Sequence, residues 1–332
     1  MDAGSGPMTE RRLDPMTGEW RTFATHRQDR TFLPAAGECP LCPGGVEIPD
    51  ASYDIVVFDN RFPSLTLAPP EPSVLSSDLY AVEPALGATE VVVYTDDHSA
   101  TLADLPVERV ARIVDVWADR YAALGARDEI EYVFIFENKG EAVGVTLHHP
   151  HGQVYGYPEI PPIADAELQA GAVHLAVNGT CVVCDVVARE RAEAVRVVAR
   201  NRTFVAYVPF AARFPYEVHV TAHRHATSLL DLTDPERADL AELLVLVARA
   251  YDGLFGFSLP YVMALHQAPT DDGQWLSVSH FHVEFTPIHR SADKLKYLAG
   301  SELAAGAFVN DTAPEETAAR LRAALPTPAR ST

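Results

Sequence analysis

The stretch TLHHPHGQVYGYP, residues 146–158, places His148, His149 and His151 within four positions and follows them with Gly152 and Gln153. His149 and His151 are two apart, so on an extended strand both side chains project to one face. One imidazole can then ligate a metal while the other faces a substrate. Gly152 lets backbone approach closely, and the Gln153 amide can donate to a phosphate oxygen where charge builds up. A neutral imidazole attacks phosphorus when its other nitrogen donates a proton to a carbonyl, which fixes the tautomer. His151 is the expected nucleophile; His148, His174 and His289 read as structural.

The arrangement recurs once downstream. His280-Phe281-His282 opens HFHVEFTPI, 131 residues after His149. Each His-x-His follows a strand-like run, YVFIFEN (132–138) or YVMALHQ (261–267), and each run follows a long helical pattern. The first pattern aligns Val107, Val110, Val114, Trp117, Tyr121 and Leu124 on one stripe. The second aligns Leu240, Leu243, Leu244, Val247, Tyr251 and Leu254, and opens with Thr233 and Glu236 at capping-box spacing. His98 and His225 each lead a Thr/Ser-Leu-x-Asp-Leu phrase before the helix. Earlier still stand CPLC (Cys39, Cys42) and CVVC (Cys181, Cys184). Four landmarks in the same order predict an α+β chain of two homologous units, each with mostly antiparallel strands and one long helix. The expected organisation is a flexible N-terminus (1–18), a first unit (19–160), a second unit (161–312) and a helical or flexible tail (313–332), with the join at the prolines of YPEIPPIADAEL.

All four cysteines lie in the two CxxC pairs, which in a cytosolic chain read as metal ligands or redox couples rather than structural disulfides. Cys39, Cys42, His98 and His149 make one Cys2His2 set, and Cys181, Cys184, His225 and His280 the second; zinc suits these donors. A redox pair or two buried thiols is the other reading of each CxxC. For the second set, Glu167, His266, His219 and His223 remain open as competing ligands.

Composition bounds the rest. The 332 residues are 48% hydrophobic and 22% charged, ordinary for a globular protein with a sizeable core. A formal charge of −20 argues against a nucleic-acid partner. No apolar run has the length of a signal peptide or membrane helix, so no membrane association and a cytoplasmic location are expected.

CPLC, DDHSATL, FENKGEAVGVTLHHPHGQ and HFHVEFTP together resemble the galactose-1-phosphate uridylyltransferase family of the histidine-triad superfamily, from about Glu19 to about Asn310. The resemblance implies two histidine-triad-like repeats, an antiparallel half-barrel sheet flanked by helices, and a homodimer. It implies ping-pong transfer: the residue matching His151 attacks the α-phosphorus of UDP-glucose, and galactose-1-phosphate then takes the UMP. The family's zinc ligands match Cys39, Cys42, His98 and His149. By the same resemblance Arg27 and Arg30 in HRQDR are phosphate contacts, Asn60 lies on the nucleoside side, and Asn138 and Thr146 are phosphate and loop contacts. Gln153 follows the nucleophile, and Lys296 and Glu302 contact the hexose.

Three departures stand out. Asn60-Arg61-Phe62 replaces the family's Asn-Asp-Phe, and Gly300-Ser301-Glu302 replaces Gly-Tyr-Glu. The family's well-known members lack the second CxxC and hold a second metal through positions that resemble Glu167, His266, His280 and His282. The Cys181/Cys184 pair is instead similar to a branch of adenylyl-transferring relatives. An adenylyltransferase or ADP-sugar phosphorylase using the same histidine is therefore the alternative enzyme. A histidine-triad-type hydrolase and a two-zinc interaction protein without turnover are the further alternatives.

Overall fold

The computed structural model describes residues 8–29, 33–34 and 37–327. Its centre is a nine-stranded sheet in which every neighbouring pair is antiparallel. In chain order the strands are β3 (Val56–Asp59), β5 (Ala88–Val93), β6 (Tyr132–Lys139), β7 (His151–Tyr157), β8 (Val197–Arg200), β9 (Phe204–Tyr207), β10 (Val218–Ala222), β11 (Tyr261–His266) and β12 (His282–Pro287). Across the sheet they run β3-β5-β7-β6-β11-β12-β10-β9-β8, with β8 an extra strand on one edge. The inner eight read the same from either side of the β6–β11 seam. This is the expected α+β repeat, with the two units joined edge to edge into one open sheet.

The helices follow from the stripes. Helix α1 (Val107–Gly125) buries Val110, Ile113, Val114, Trp117, Tyr121 and Leu124. Helix α4 (Asp234–Phe255) buries Leu240, Leu243, Leu244, Val247 and Tyr251 among others. The Glu236 carboxylate accepts the Thr233 N–H at 2.9 Å, so the predicted capping signal starts α4. Both helices lie on one face of the sheet, where Val92, Ile135 and Val154 of the first unit join Val220, Met263, Val283 and Phe285 of the second in one core. The opposite face carries the polar side chains at alternate positions, His151 and Gln153 on β7 and His282 and Glu284 on β12.

Two smaller modules cover that polar face. Cys39, Leu41 and Ile48 pack on Val91 and Val93 of β5. Helices α2 (Pro162–Asn178) and α3 (Val182–Glu193) cover the other end, where Val187 meets Val205 and Tyr207 of β9. Short helices α5 (Gly300–Ala305) and α6 (Pro314–Ala324) follow a hairpin of β13 (His289–Ser291) and β14 (Lys294–Leu295). Among the described residues no single helix is long and apolar enough to cross a membrane.

The N-terminus differs from expectation. Within the segment expected to be flexible, Thr9–Asp14 forms β1, paired with β2 (Glu19–Ala24) and β4 (Val82–Pro84) in a three-stranded sheet. Its sequence, TERRLD, has no apolar pattern because ion pairs bury it: Arg11 is 2% exposed and pairs with Glu83 and Glu159.

Because one core spans both units, Leu244→Ala on α4 is expected to cost about 2–5 kcal/mol and to shift a single urea transition. Two separated transitions would contradict the continuous core.

Candidate active site and metal centres

The first Cys2His2 set comes together as the spacing predicts. The ligand atoms of Cys39, Cys42, His98 and His149 all lie within 4.8 Å of one another. Cys39 Sγ is 3.9 Å from His149 Nδ1, and Cys42 Sγ is 3.5 Å from His98 Nδ1 and 3.6 Å from His149 Nδ1. Tetrahedral zinc bonds to sulfur and nitrogen place neighbouring ligand atoms about 3.5 Å apart. The donors therefore fit such an ion. His149 Nε2–H donates to the Thr95 carbonyl at 2.7 Å, which leaves Nδ1 for the metal side. The Tyr53 hydroxyl, donating to the Leu41 carbonyl at 2.6 Å, lies 2.9 Å from the same Nε2.

The second set repeats this arrangement. Cys181 Sγ is 3.7 Å and Cys184 Sγ 3.4 Å from His280 Nδ1, and Cys184 Sγ is 3.7 Å from His225 Nδ1. His280 and His225 donate through Nε2 to the carbonyls of Ala222 (3.3 Å) and Leu276 (3.0 Å). Here the cysteines sit at the N-terminus of α3, Cys181 being its N-cap, where the helix dipole favours thiolates. Burial and the neighbouring cysteine push the Cys42 thiol up to about 11 and the Cys184 thiol up to about 12. A metal must displace those protons to bind.

His151, half-buried at the start of β7, donates through Nδ1 to the His149 carbonyl at 2.7 Å. Burial holds its pKa below the usual histidine range, so the ring is neutral with a free Nε2 lone pair. Gln153 follows on the same face, its Oε1 accepting the Tyr155 hydroxyl at 3.3 Å. Continuing the Phe136–Gln153 register by two residues sets Asn138 across from His151. His151, Asn138, Glu137, Lys139 and the exposed His148 line one cavity of about 260 Å³.

The remaining predicted residues divide. Arg27 Nη1 donates to the Phe62 carbonyl at 2.7 Å, and Asn60 Oδ1 accepts the Phe62 N–H at 2.9 Å, so these two share one turn. Thr146 accepts the Leu33 N–H through its carbonyl at 2.8 Å. Arg30 lies outside the described residues. Lys296 and Glu302 pair with each other at 3.1 Å and do not line the His151 cavity. Ser301, at the second departure, donates its hydroxyl to the Ala307 carbonyl at 2.7 Å.

A third group takes in Glu167, His266 and His282, which the sequence offered as competing positions, and adds Glu284. Glu167, His266, His282 and Glu284 also bring ligand atoms within 4.8 Å of one another. His280 is absent from it, and its Nδ1 faces Cys181 and Cys184 instead. Glu284 takes Arg213 at 2.7 Å and His219 at 3.1 Å, and Glu167 takes His266 at 2.9 Å. Burial opposes charge on His282, yet Glu284 and Glu167 push its pKa up to about 9. Aligning HPHGQ with HFHVE finds Glu284, which stands where Gln153 stands in the first unit.

A family model, galactose-1-phosphate uridyl transferase, N-terminal domain, matches residues 6–161, and its C-terminal counterpart matches residues 167–330. The chain belongs to the galactose-1-phosphate uridylyltransferase family. It is a nucleotidyltransferase. A Thermotoga maritima relative with that name is 40% identical, covering 95% of this chain and 98% of its own. A solved structure described as a uridylyltransferase is 41% identical with a TM-score of 0.86, covering 95% of this chain and 98% of its own. An Arabidopsis thaliana ADP-glucose phosphorylase with bound ADP-glucose shares the fold at 24% identity and a TM-score of 0.72, covering 95% of this chain and 98% of its own.

Two metal equivalents per chain are expected on elemental analysis, falling to one in Cys184→Ala. Chelator should strip both faster at pH 5 than at pH 8, because the thiols regain their protons. One equivalent in the wild type would rule out the second centre.

Proposed function

We propose that this chain transfers UMP from UDP-glucose to galactose-1-phosphate through a uridylyl-His151 intermediate. The observation that carries the reading is the 2.7 Å bond from His151 Nδ1 to the His149 carbonyl, which aims Nε2 outward as a nucleophile. Nε2 forms a bond to the α-phosphorus of UDP-glucose, and the phosphorus–oxygen bond to glucose-1-phosphate breaks. A phosphate oxygen of galactose-1-phosphate then attacks the same phosphorus and returns His151 to its free state. Gln153 and Asn138 amides donate to the phosphoryl oxygens, where charge grows during each displacement. Arg27, Arg30 and Thr146 hold the phosphates and their loop, Asn60 the nucleoside, and Lys296 with Glu302 the hexose.

Cys39, Cys42, His98 and His149, and likewise Cys181, Cys184, His225 and His280, would each hold a structural zinc ion, which would fix His149 and His280 and with them the two His-x-His strands. Residues 19–160 and 161–312 are the two histidine-triad-like units. The active form is a cytoplasmic homodimer. Exposed Tyr297, Leu303 and Val309 beside the Lys296–Glu302 pair support a covered surface there.

The test is intact mass after mixing with UDP-glucose and no acceptor, beside His151→Ala. A UMP-sized gain on the wild type alone, removed by galactose-1-phosphate, is expected. An AMP-sized gain from ADP-glucose in its place would keep the nucleophile and move the chain to the adenylyl alternative, which the second CxxC favours. No gain with either donor would overturn the reading.

A further inference from the structure

Beneath the reactive strand, on the helix-covered side of the sheet, lies a polar group that the transfer chemistry leaves unused. Glu137 is 4% exposed in the core, with its Oε1 3.5 Å from the Tyr261 hydroxyl. The Tyr94 hydroxyl faces the same carboxyl, and the fully buried Tyr94 ring meets Trp117 edge-on at 5.9 Å. Glu137 Oε2, the Tyr94 hydroxyl and Trp117 Nε1 are all buried without a hydrogen-bond partner. Buried polar groups in this state are costly and call for a reason.

Tyr94 grips the nucleophile from both sides. Its N–H donates to the Pro150 carbonyl at 3.1 Å, and its hydroxyl occupies the space that a Cβ on Gly152 would need. Pro150 and Gly152 are the two neighbours of His151. Asn138, the next residue along β6 from Glu137, lines the His151 cavity.

The second unit supplies an internal control. Ile135 pairs with Val154 as Met263 pairs with Phe285, and Val92 pairs with Gly152 as Val220 pairs with Val283. In that register the counterparts of Glu137, Tyr94 and Gly152 are Leu265, Ala222 and Val283. The polar trio is exchanged as a set for three apolar residues, the large tyrosine and absent side chain giving way to alanine and valine. Both units share the sheet, the helix and the Cys2His2 set. The trio belongs only to the unit that holds His151 and Gln153, so sheet packing and metal binding do not account for it.

We propose that Glu137, acting through the Tyr94 hydroxyl beneath Gly152, is a positioning residue for His151. The inference rests on the reading of His151 as nucleophile. Burial pushes the Glu137 carboxyl up to about 7 against the attraction of Lys139, so the group is neutral below that pH and loses its proton above it. The groups that face it are Lys139 of β6, itself paired with Asp252 of α4 at 2.8 Å, Tyr94 following β5, which meets Trp117 of α1, and Tyr261 of β11.

The test is the single-turnover rate of nucleotide transfer to His151 from UDP-glucose, read by quenched intact mass, with donor affinity and metal content measured alongside. Tyr94→Phe and Glu137→Leu are expected to slow transfer about ten- to a hundredfold, with donor affinity unchanged within about twofold. Glu137→Gln is expected to match the wild type at pH 6 and to lack its fall in rate between pH 6 and 8. Tyr94→Phe preserves packing, so it decides the matter if Glu137→Leu does not fold. Wild-type transfer rates in Tyr94→Phe, or equal losses of affinity and rate, overturn the proposal. A wild type that accepts nucleotide while the variants match it overturns this inference alone; a wild type that accepts none overturns the parent reading with it.

Discussion

One hydrogen bond connects the structural and reactive parts of this protein, the 2.7 Å bond from His151 Nδ1 to the carbonyl of His149. His149 has neighbours at both ring nitrogens, the Cys39 and Cys42 sulfurs at Nδ1 and the Thr95 carbonyl at Nε2. Its backbone therefore has little freedom, and the carbonyl that orients His151 inherits that rigidity. A histidine that must present one nitrogen to phosphorus gains orientation without a carboxylate partner, which would raise its pKa and protonate it. The acid that does lie near, Glu137, is on the other side of the sheet.

The second unit shows what the same scaffold does when the face changes. His282 donates to the His280 carbonyl at 2.8 Å, as His151 does to His149. Glu284 replaces Gln153, and His266 replaces Asn138 in the equivalent register. There Glu284 pairs with Arg213, and with Glu167 it holds the His282 ring charged. The two units thus share their Cys2His2 framework and differ in the electrostatics of the surface it supports.

Much of this was legible in the sequence because it is periodic or repeated. The α1 and α4 stripes, the two CxxC pairs and the two His-x-His phrases each carry a spacing that physical chemistry ties to one geometry. Residues buried by ion pairs were not legible. Arg11 and Glu10 of β1 lack an apolar pattern, and Glu83 and Glu159, which pair with Arg11, and Ser73, which donates to Glu10, are distant in sequence. Glu137 was read only as part of a family phrase, because its burial depends on Tyr94 and Tyr261 arriving from other strands. The separation of Lys296 and Glu302 from the His151 cavity was likewise invisible, since a motif shows which residues occur and not where a hairpin carries them.

The account depends on one of two nearly equivalent histidines being reactive. The most direct measurement is tandem mass spectrometry of peptides from protein labelled with UDP-glucose, under conditions that preserve phosphorus–nitrogen bonds. The account predicts nucleotide on His151 and none on His282. Label on His282, or on a residue outside both His-x-His phrases, would contradict it.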